Sequence, residues 1–492
     1  MTAPTLRQTT AVALTRPRRR AQDGRHGQRP EQHVTTHDGL LPARRRWAIA
    51  TSVVAVGMSS LDISIANTAL PSIAADVQAS PAASVWVVNA YQLAVAASLL
   101  PFSALGEIYG YRRVYTWGLA LFTLASLLCA LSFSLPTLTA ARVLQGLGGA
   151  GIMSVNTALI RYIYPARQLG RGLGFNALVV GVSTAIGPTV ASGVLAVASW
   201  PLLFAINVPA GLAALALAIR ALPDTPLASH RFDLPSAALN ALFFGALIFC
   251  IGEAAHSASW SETLGMGAIA LLAGALLIRR QLGLTAPLLP IDLYRRPMFA
   301  LSSLTSALSF AAQGLAFVAL PFLFQTVLGR SAVETGLLIT PWPVATAAMA
   351  PIAGPLSDRY PPAILGGIGM AILAVGLALM ATLPEGASAA GIALRMLVCG
   401  AGFGFFQSPN LRAIMSSAPP GRSGGASGIV ATSRLLGQST GAALVALCFG
   451  LAGSYGPVLA LALGAGFSAA ASAVSFSRML ARSPAPPARG PG

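Results

Sequence analysis

Long apolar runs, separated by short gaps that hold most of the polar residues, fill the chain from Trp47 to its C-terminal tail. A helix needs about 20 mainly apolar residues to cross the hydrocarbon core of a bilayer. Fourteen runs come close to this length. We therefore predict fourteen membrane-spanning helices, at about 47–70, 83–106, 114–134, 138–160, 172–197, 200–221, 234–254, 263–280, 299–325, 334–356, 363–382, 390–410, 425–448 and 455–475.

The composition agrees with a membrane protein and excludes several other classes. Of the 492 residues, 55% are hydrophobic and 9% are charged, whereas a soluble domain carries about 25% charged residues. A soluble enzyme, a disordered chain and a disulfide scaffold are therefore excluded. The four cysteines lie inside apolar runs without metal-ligand spacing, and no Gly-x-x-x-x-Gly-Lys nucleotide loop occurs. We expect no metal, no cofactor and no enzymatic activity.

Arginine supplies all 31 basic residues and decides the predicted orientation. An even number of spans puts both chain ends on one side of the membrane. The tails and gaps of that side contain 27 of the arginines, and the opposite gaps contain Arg330 alone. The positive-inside rule then places both termini in the cytoplasm, as in a multi-pass protein of the inner membrane. The net charge of +17 forms no continuous basic face, so we expect a lipid bilayer and no nucleic acid as partner.

The two ends of the chain resemble each other at an offset near 250 residues. Ala69-Leu70-Pro71 recurs as Ala319-Leu320-Pro321, Ser103–Glu107 matches Gly354–Asp358, and Arg142 matches Arg395. The common order of these matches indicates a duplication. Two parallel six-helix halves with a binding site between them at the membrane midplane are a transporter design.

The predicted fold is therefore an all-α polytopic membrane protein with two pseudo-symmetric six-helix bundles and a two-helix insert. Its predicted parts are a disordered, arginine-rich cytoplasmic tail at 1–46, an N-terminal bundle at 47–222, the insert and its linkers at 223–297, a C-terminal bundle at 298–478 and a cytoplasmic tail at 479–492.

Three segments resemble the major facilitator superfamily and, within it, the fourteen-span drug:proton antiporters. They are Leu61–Pro71 in the first span, Arg142–Gly149 in the fourth and Phe204–Gly211 in the sixth, and Gly187-Pro188 of the fifth span fits the antiporter motif. The resemblance implies a proton-coupled transporter that exports small lipophilic or cationic compounds by alternating access, driven by the proton gradient. The sequence does not determine the oligomeric state, for which we expect a monomer. Two alternatives stay open: a transporter of one specific metabolite in the same fold, and a transport-derived membrane sensor.

Asp62 and Arg142 are the candidates for proton coupling. Asp62 lies in mid-span, where a charged Asp costs about 2.5–3.5 kcal/mol on insertion scales, so it must face protein or water. We expect a proton carrier, with a structural hydrogen-bonding Asp as the alternative. If the first and fourth spans are neighbours, as in the resembling family, the long Arg142 side chain can reach the depth of Asp62 as a counter-charge. The alternative is an arginine that extends to the outer interface.

Charged residues at the cytoplasmic ends of two corresponding spans are candidates for a gate. On the resemblance they form charge-assisted bonds between helices in the outward-facing state; in isolation, a solvated loop is the ordinary interpretation. The first copy departs from the family pattern at Ser103 and Ile108. The predicted gate residues are Glu107, Gly110, Arg112, Arg113, Gly354, Asp358 and Arg359.

Polar and aromatic residues within the spans are candidates for lining a substrate cavity, with packing or lipid contact as the alternative. They are Asn67, Trp86, Tyr91, Gln92, Gln145, Gln313, Phe317, Phe405 and Asn410. Pro188, beside Gly187, should bend its helix and suits a moving element. Arg434 lies inside the thirteenth span, and we expect it to have a buried partner.

Overall fold

The structure is a computed structural model of the chain. It describes residues 39–165, 168–227, 232–253, 260–282, 291–384, 386–418 and 423–480. These residues are helical almost throughout, and no β-strand occurs among them. The predicted all-α fold is confirmed. Most of the predicted tails, residues 1–38 and 481–492, lie outside the described residues, so their predicted disorder stays a prediction.

Seventeen α-helices are assigned within the described ranges. They are α1 Pro42–Asp76, α2 Pro81–Ser84, α3 Trp86–Tyr109, α4 Tyr111–Ala130, α5 Leu135–Ile163, α6 Leu169–Val197, α7 Pro201–Ala205, α8 Asn207–Ala221, α9 Leu234–Glu253, α10 Trp260–Gln281, α11 Pro297–Phe322, α12 Ala332–Ile339, α13 Pro341–Arg359, α14 Pro362–Ala381, α15 Ala389–Ser417, α16 Ser423–Ala452 and α17 Gly456–Ser477.

Local sequence signals set many helix ends. Six helices begin at a proline, whose missing N–H costs nothing in the first turn. Ser134 and Ser331 each accept a hydrogen bond from the backbone N–H three residues on, as N-caps of α5 and α12. Gly110 has a φ of 95°, a value that favours glycine, and it separates α3 from α4.

Twelve helical segments in the described parts of the chain are long and apolar enough to cross a membrane. One of them, 429–477, includes most of α16 and all of α17, and α9 contains a shorter apolar stretch at Leu234–Leu247. The count of fourteen spans therefore stays a prediction. Large apolar side chains such as Trp117 and Leu271 are exposed on the helices, as expected for lipid contact.

Helix packing repeats between the two ends of the chain. In the first half, α1 packs against α6 and α8; in the second half, α11 packs against α16 and α17. Likewise α5 packs against α3 and α4, and α15 packs against α13 and α14. The structure thus contains the two pseudo-symmetric six-helix halves that the repeat predicts.

The first helix begins earlier than predicted. We expected the tail to continue to residue 46, but α1 begins at Pro42. The reason is Arg44, whose Nε and Nη2 donate to the carbonyls of Ala221 and Leu222 at 3.1 and 3.0 Å. These bonds tie the start of α1 to the end of α8. The other predicted domain boundaries stay predictions.

The insert helices α9 and α10 pack against each other, and α9 also contacts α3 and α16. Asn240 on α9 donates to the carbonyl of Ala97 at 2.8 Å. Near the start of α9, Asp233 pairs with Arg280 at 2.8 Å. Burial raises the pKa of the Asp233 carboxyl, but hydrogen bonds from Arg280 and Ser236 outweigh this and hold it below its usual value. The insert therefore contacts both halves through α9, and an ion pair links its two helices.

Candidate functional site

Asp62 and Arg142 form a buried salt bridge between α1 and α5. Arg142 Nη1 donates to Asp62 Oδ2, and the relative exposures of the two residues are 2% and 1%. The two opposite charges compensate each other inside the helix bundle. The structure thus brings together the two residues proposed for proton coupling, and Arg142 does not extend to the outer interface.

The second carboxylate oxygen of Asp62 and the Nε of Arg142 also form hydrogen bonds. Asp62 Oδ1 accepts from Gln145 Nε2 at 2.8 Å and from Asn207 Nδ2 at 3.1 Å. Arg142 Nε donates to the carbonyl of Val87 at 2.9 Å, and its Nη1 also donates to Gln145 Oε1 at 2.5 Å. Five helices contribute, because Gln145 Nε2 also donates to Ser126 on α4 at 2.9 Å. Both oxygens of the Asp62 carboxylate therefore accept hydrogen bonds from neighbouring helices.

Aromatic rings cover the guanidinium. Its central carbon lies 4.3 Å from the centre of the Tyr91 ring and 5.5 Å from that of Phe204. Glycines on α5 allow this approach, because a Cβ on Gly146 would lie 2.5 Å from the Tyr91 carbonyl oxygen. A Cβ on Gly149 would lie 2.6 Å from the Tyr91 hydroxyl. The glycines of the fourth-span motif thus let α3 pack directly against α5, which positions Tyr91 over Arg142.

Sequence reasoning missed three members of this cluster: Ser126, Phe204 and Asn207. Asn207 and Phe204 stand in the sixth-span segment that carries the family resemblance, yet no role followed from it. A polar residue in an otherwise apolar span is the signal that could have found Asn207. Ser126 gave no comparable signal, because serine occurs in many of the spans.

A cavity lies between the two halves. Of the residues predicted to line a substrate cavity, Asn67, Gln92, Gln313 and Phe317 line this one. Further lining residues are Ser60, Ile63, Ser64, Met153, Val180, Thr184, Gly314, Val318, Arg434 and Gln438. Helix α1 therefore presents Ser60, Ile63, Ser64 and Asn67 to the cavity, while the carboxylate of Asp62 on the same helix bonds to α5 and α8.

The other five predicted lining residues do not line this cavity. Tyr91 and Gln145 belong to the cluster around Asp62. Trp86 stacks near Phe249 of the insert, with ring centres 6.3 Å apart, and Phe405 lies half-buried on α15.

Asn410 accepts from Arg478 Nη1 at 2.9 Å and donates to the Ser302 carbonyl at 3.2 Å, so it binds the end of α17. Burial lowers the pKa of the Arg478 guanidinium to about 10, and the side chain stays cationic at neutral pH. These five residues were predicted to line the cavity, but the rotation of their helices directs the side chains elsewhere. Each side chain points to whichever neighbour its own helix face contacts.

The helix with the antiporter motif packs closely against α1 beside Asp62. A Cβ on Gly187 would lie 2.4 Å from the Cβ and Oγ of Ser64. Ser64 Oγ also donates to the carbonyl of Thr184 at 3.1 Å. Pro188 lies inside α6 and leaves the Thr184 carbonyl without its usual helical partner. The Ser64 hydroxyl supplies that partner, so α1 and α6 are joined at the proline.

The predicted gate residues lie at the ends of α3, α4 and α13. Arg112 Nη1 pairs with Asp224 in the loop that follows α8 at 2.8 Å, and its Nη2 donates to the carbonyl of Ile219 on α8. Glu107, Arg113 and Arg359 are exposed and Gly354 is half-buried. The side chain of Asp358 lies outside the described residues. The bonds predicted between helices of the gate therefore stay a prediction, because neither partner of Arg112 is one of the predicted gate residues.

The two halves are joined at the end of the bundle where α1 and α6 finish and α12 begins. Gln325 Nε2 donates to the Thr68 carbonyl at 3.4 Å, Ser192 Oγ donates to the Ala332 carbonyl at 3.1 Å, and the hydroxyls of Thr189 and Thr340 lie 2.8 Å apart. A Cβ on Gly336 would lie 2.3 Å from the Pro188 carbonyl oxygen. We call this region the joined end.

Within the described part of the chain, Arg434 forms no hydrogen bond or ion pair with the buried partner that we predicted. Its Nε is sealed from solvent and has no hydrogen-bond partner among the described residues. The side chain lies on α16 and lines the central cavity. The prediction assumed that the guanidinium faces a neighbouring helix. It faces the cavity instead.

Comparison with known proteins identifies relatives over most of the chain. The sequence profile of the Major Facilitator Superfamily matches residues 52–442. The chain is 54% identical over 444 residues to the "Uncharacterized transporter YebQ" of Escherichia coli (strain K12), covering 90% of this chain and 97% of that protein.

Two other relatives have names that state a substrate or a role. The riboflavin transporter RibZ of Clostridioides difficile (strain 630) is 30% identical, with 82% of this chain and 89% of RibZ covered. The multidrug resistance protein Stp of Mycobacterium tuberculosis (strain CDC 1551 / Oshkosh) is 31% identical, with 79% of this chain and 73% of Stp covered. The relatives thus differ in the compounds that their names imply.

Solved structures show the same fold. A bacterial homolog of the human lysosomal transporter Spinster, crystallised in an inward-facing and unoccupied conformation, superposes with a TM-score of 0.67. Its sequence is 15% identical, and the comparison covers 91% of this chain and 100% of that chain. At this identity the similarity concerns the fold alone.

Proposed function

The chain belongs to the major facilitator superfamily, and from this membership we propose that it is a proton-coupled exporter of small lipophilic compounds that works by alternating access. As a member of that family it is a multi-pass transporter and not an enzyme. We further propose that it resides in the inner membrane with both termini in the cytoplasm, because arginine is concentrated on that side of the predicted topology.

The observation that carries the proposal is the buried salt bridge of Asp62 and Arg142 beside the central cavity. Removing one member of such a pair leaves an uncompensated charge, which costs about 3–5 kcal/mol. Protonation of Asp62 removes its negative charge and weakens its bond to Arg142. The pair can therefore convert the arrival of a proton into a rearrangement of α1 against α5.

In the proposed cycle, Asp62 releases a proton in one state and binds a proton in the other. When Arg142 contacts Asp62, the ionised carboxylate is stabilised and the proton is released. When α1 and α5 move apart, desolvation favours the protonated acid and a proton is bound. Since Ser60, Ile63, Ser64 and Asn67 of α1 line the cavity, the same movement changes the substrate site. This couples proton binding to compound release.

We do not extend the proposal to cationic compounds, although the family resemblance includes them. Arg434 places a positive charge at the cavity wall, and like charges repel strongly where water is excluded. The name of RibZ favours a second candidate, the transport of one specific metabolite. Resistance to several unrelated compounds in a susceptibility panel, with the chain expressed in a pump-deficient host, would support the exporter and oppose this candidate.

Transport in proteoliposomes tests the coupling. Wild-type protein should move a compound from that panel faster when a pH gradient is imposed. Asp62→Asn should fold but transport at the rate seen without a gradient, because its side chain carries no ionisable proton. Asp76→Asn is the matched control on the same helix, since Asp76 accepts from Trp200 Nε1 at 2.6 Å and has no bond to Arg142. Gradient-dependent transport by Asp62→Asn would refute the coupling.

A further inference from the structure

Arg434 is the single charged residue among those that line the central cavity in the described part of the chain. Asp62 and Arg142 lie nearby on the first half, but they neutralise each other in a direct salt bridge. The charge that an occupant of the cavity meets is therefore the guanidinium of Arg434. Its buried Nε has no hydrogen-bond partner among the described residues.

An unpaired guanidinium in this position is costly. On insertion scales, an arginine at the centre of a span costs about 2.5–3.5 kcal/mol, and a buried donor without a partner adds a desolvation penalty. A neighbouring carboxylate would offset both, as Asp62 does for Arg142. Around Arg434 the lining side chains are uncharged, and the amides of Gln438 and Gln313 already bond to each other at 3.0 Å.

The other residues that line the cavity indicate which kind of compound fits it. Ile63, Met153, Val180, Phe317 and Val318 give the cavity apolar walls. These walls suit a lipophilic body, and the amides of Asn67 and Gln92 offer polar contacts. Asn67 Oδ1 and Gln92 Oε1 are buried acceptors that also have no partner within the described residues. The cavity thus combines a cationic group, apolar walls and free polar atoms.

We propose that Arg434 recognises the carboxylate of a lipophilic organic acid, so that the compounds taken by the central cavity are anions. This inference rests on the proposed export function and specifies its substrate class. Guanidinium is suited to carboxylate because it offers parallel N–H donors in a planar fork. An anion in the cavity supplies the partner that Arg434 lacks, whereas a cation meets uncompensated repulsion.

Dye binding to the purified full-length protein in detergent tests this selectivity. Fluorescein and rhodamine 123 share a planar xanthene body, but fluorescein is an anion with a free carboxylate and rhodamine 123 is a cation. Fluorescence anisotropy should show that wild-type protein binds fluorescein more tightly than rhodamine 123. Arg434→Gln should bind fluorescein about 10- to 100-fold more weakly, the loss expected for a hydrogen bond to a charged group. Its affinity for rhodamine 123 should not fall.

Two further variants separate recognition from folding. Arg434→Lys keeps the positive charge and should retain part of the fluorescein affinity. Arg395→Gln is the matched control, because Arg395 also lies within a span with a buried, unpaired Nε but does not line the cavity. It should leave the affinity for both dyes unchanged. Equal losses in Arg434→Gln and Arg395→Gln would refute a specific role for Arg434.

Several other results would overturn either the inference or the proposed function. Tighter binding of rhodamine 123, unchanged fluorescein binding in Arg434→Gln, or no fluorescein binding up to about 1 mM, the weak end of specific affinity, would overturn the inference. The assay uses no proton gradient, so it is independent of the coupling test. Arg434-dependent binding without gradient-driven transport would refute the proposed function alone. Gradient-driven transport without charge selectivity would refute this inference alone.

Discussion

Gly187 on α6 lies directly against Ser64 on α1, so closely that a methyl group on Gly187 would come within 2.4 Å of the Ser64 Cβ and Oγ. Ser64 is two residues beyond Asp62, and it lines the central cavity. The position of α6 therefore determines how α1 holds both the buried carboxylate and part of the cavity wall. A helix bent at Pro188 can transmit movement to α1 at this contact.

Gly187→Ala should push α1 and α6 apart. Overpacking of this kind costs about 1–3 kcal/mol, so we expect a lower Tm in detergent and slower efflux at matched expression. Gly193→Ala is the control on the same helix, because nothing lies within 4 Å of a Cβ at that position. It should leave Tm and efflux unchanged. A Tm for Gly187→Ala equal to that of the control would contradict the close packing.

Arg142→Gln should destabilise the protein and slow gradient-driven transport. It leaves Asp62 buried without its counter-charge, at a cost of about 3–5 kcal/mol. The Tm in detergent should therefore fall, and gradient-driven efflux should be slower than that of the wild type at matched expression.

A double-mutant cycle isolates the pair. Asp62→Asn combined with Arg142→Gln should lose less stability than the sum of the two single variants, because the second change removes the uncompensated charge. Thermal unfolding of the four proteins measures this. Strict additivity would show that the two side chains do not interact.

Disulfide cross-linking tests whether the joined end opens during transport. Thr189 and Thr340 come from different halves, and their hydroxyls lie 2.8 Å apart. With the four native cysteines replaced, Thr189→Cys combined with Thr340→Cys should form a disulfide on oxidation. Efflux should then stop and return after reduction. Each single-cysteine variant is the control and should keep its efflux under oxidation; full activity of the cross-linked protein would mean that this end need not open.

Reporter fusions test the two-helix insert and the number of spans. Fusions after Arg296 and at the C-terminus should report the cytoplasm, and one at 257–259 should report the outside. The last position lies outside the described residues, between α9 and α10. A cytoplasmic signal there would mean that α9 and α10 do not both cross the membrane, and the prediction of fourteen spans would be wrong.

The sequence alone determined the class, the fold and the position of most helices. The thickness of the bilayer sets the length of a spanning helix, so apolar runs of that length indicate membrane spans. It also identified Asp62, since an acid in an apolar span is costly wherever it lies. The reach of Arg142 to Asp62 followed from their matching depth, once the family resemblance suggested that their helices are neighbours.

The tertiary structure decided which side chains meet. Asn207 and Ser126 bind the charge cluster because α8 and α4 present these faces to it, and helix rotation cannot be read from runs that are apolar on all sides. For the same reason the sequence did not show that Asn410 bonds to Arg478, and it was predicted to line the cavity. Arg434 shows the difference most clearly. Its charge in a span was evident from the sequence, but only the helix packing showed that it faces the cavity, with an Nε that has no hydrogen-bond partner among the described residues.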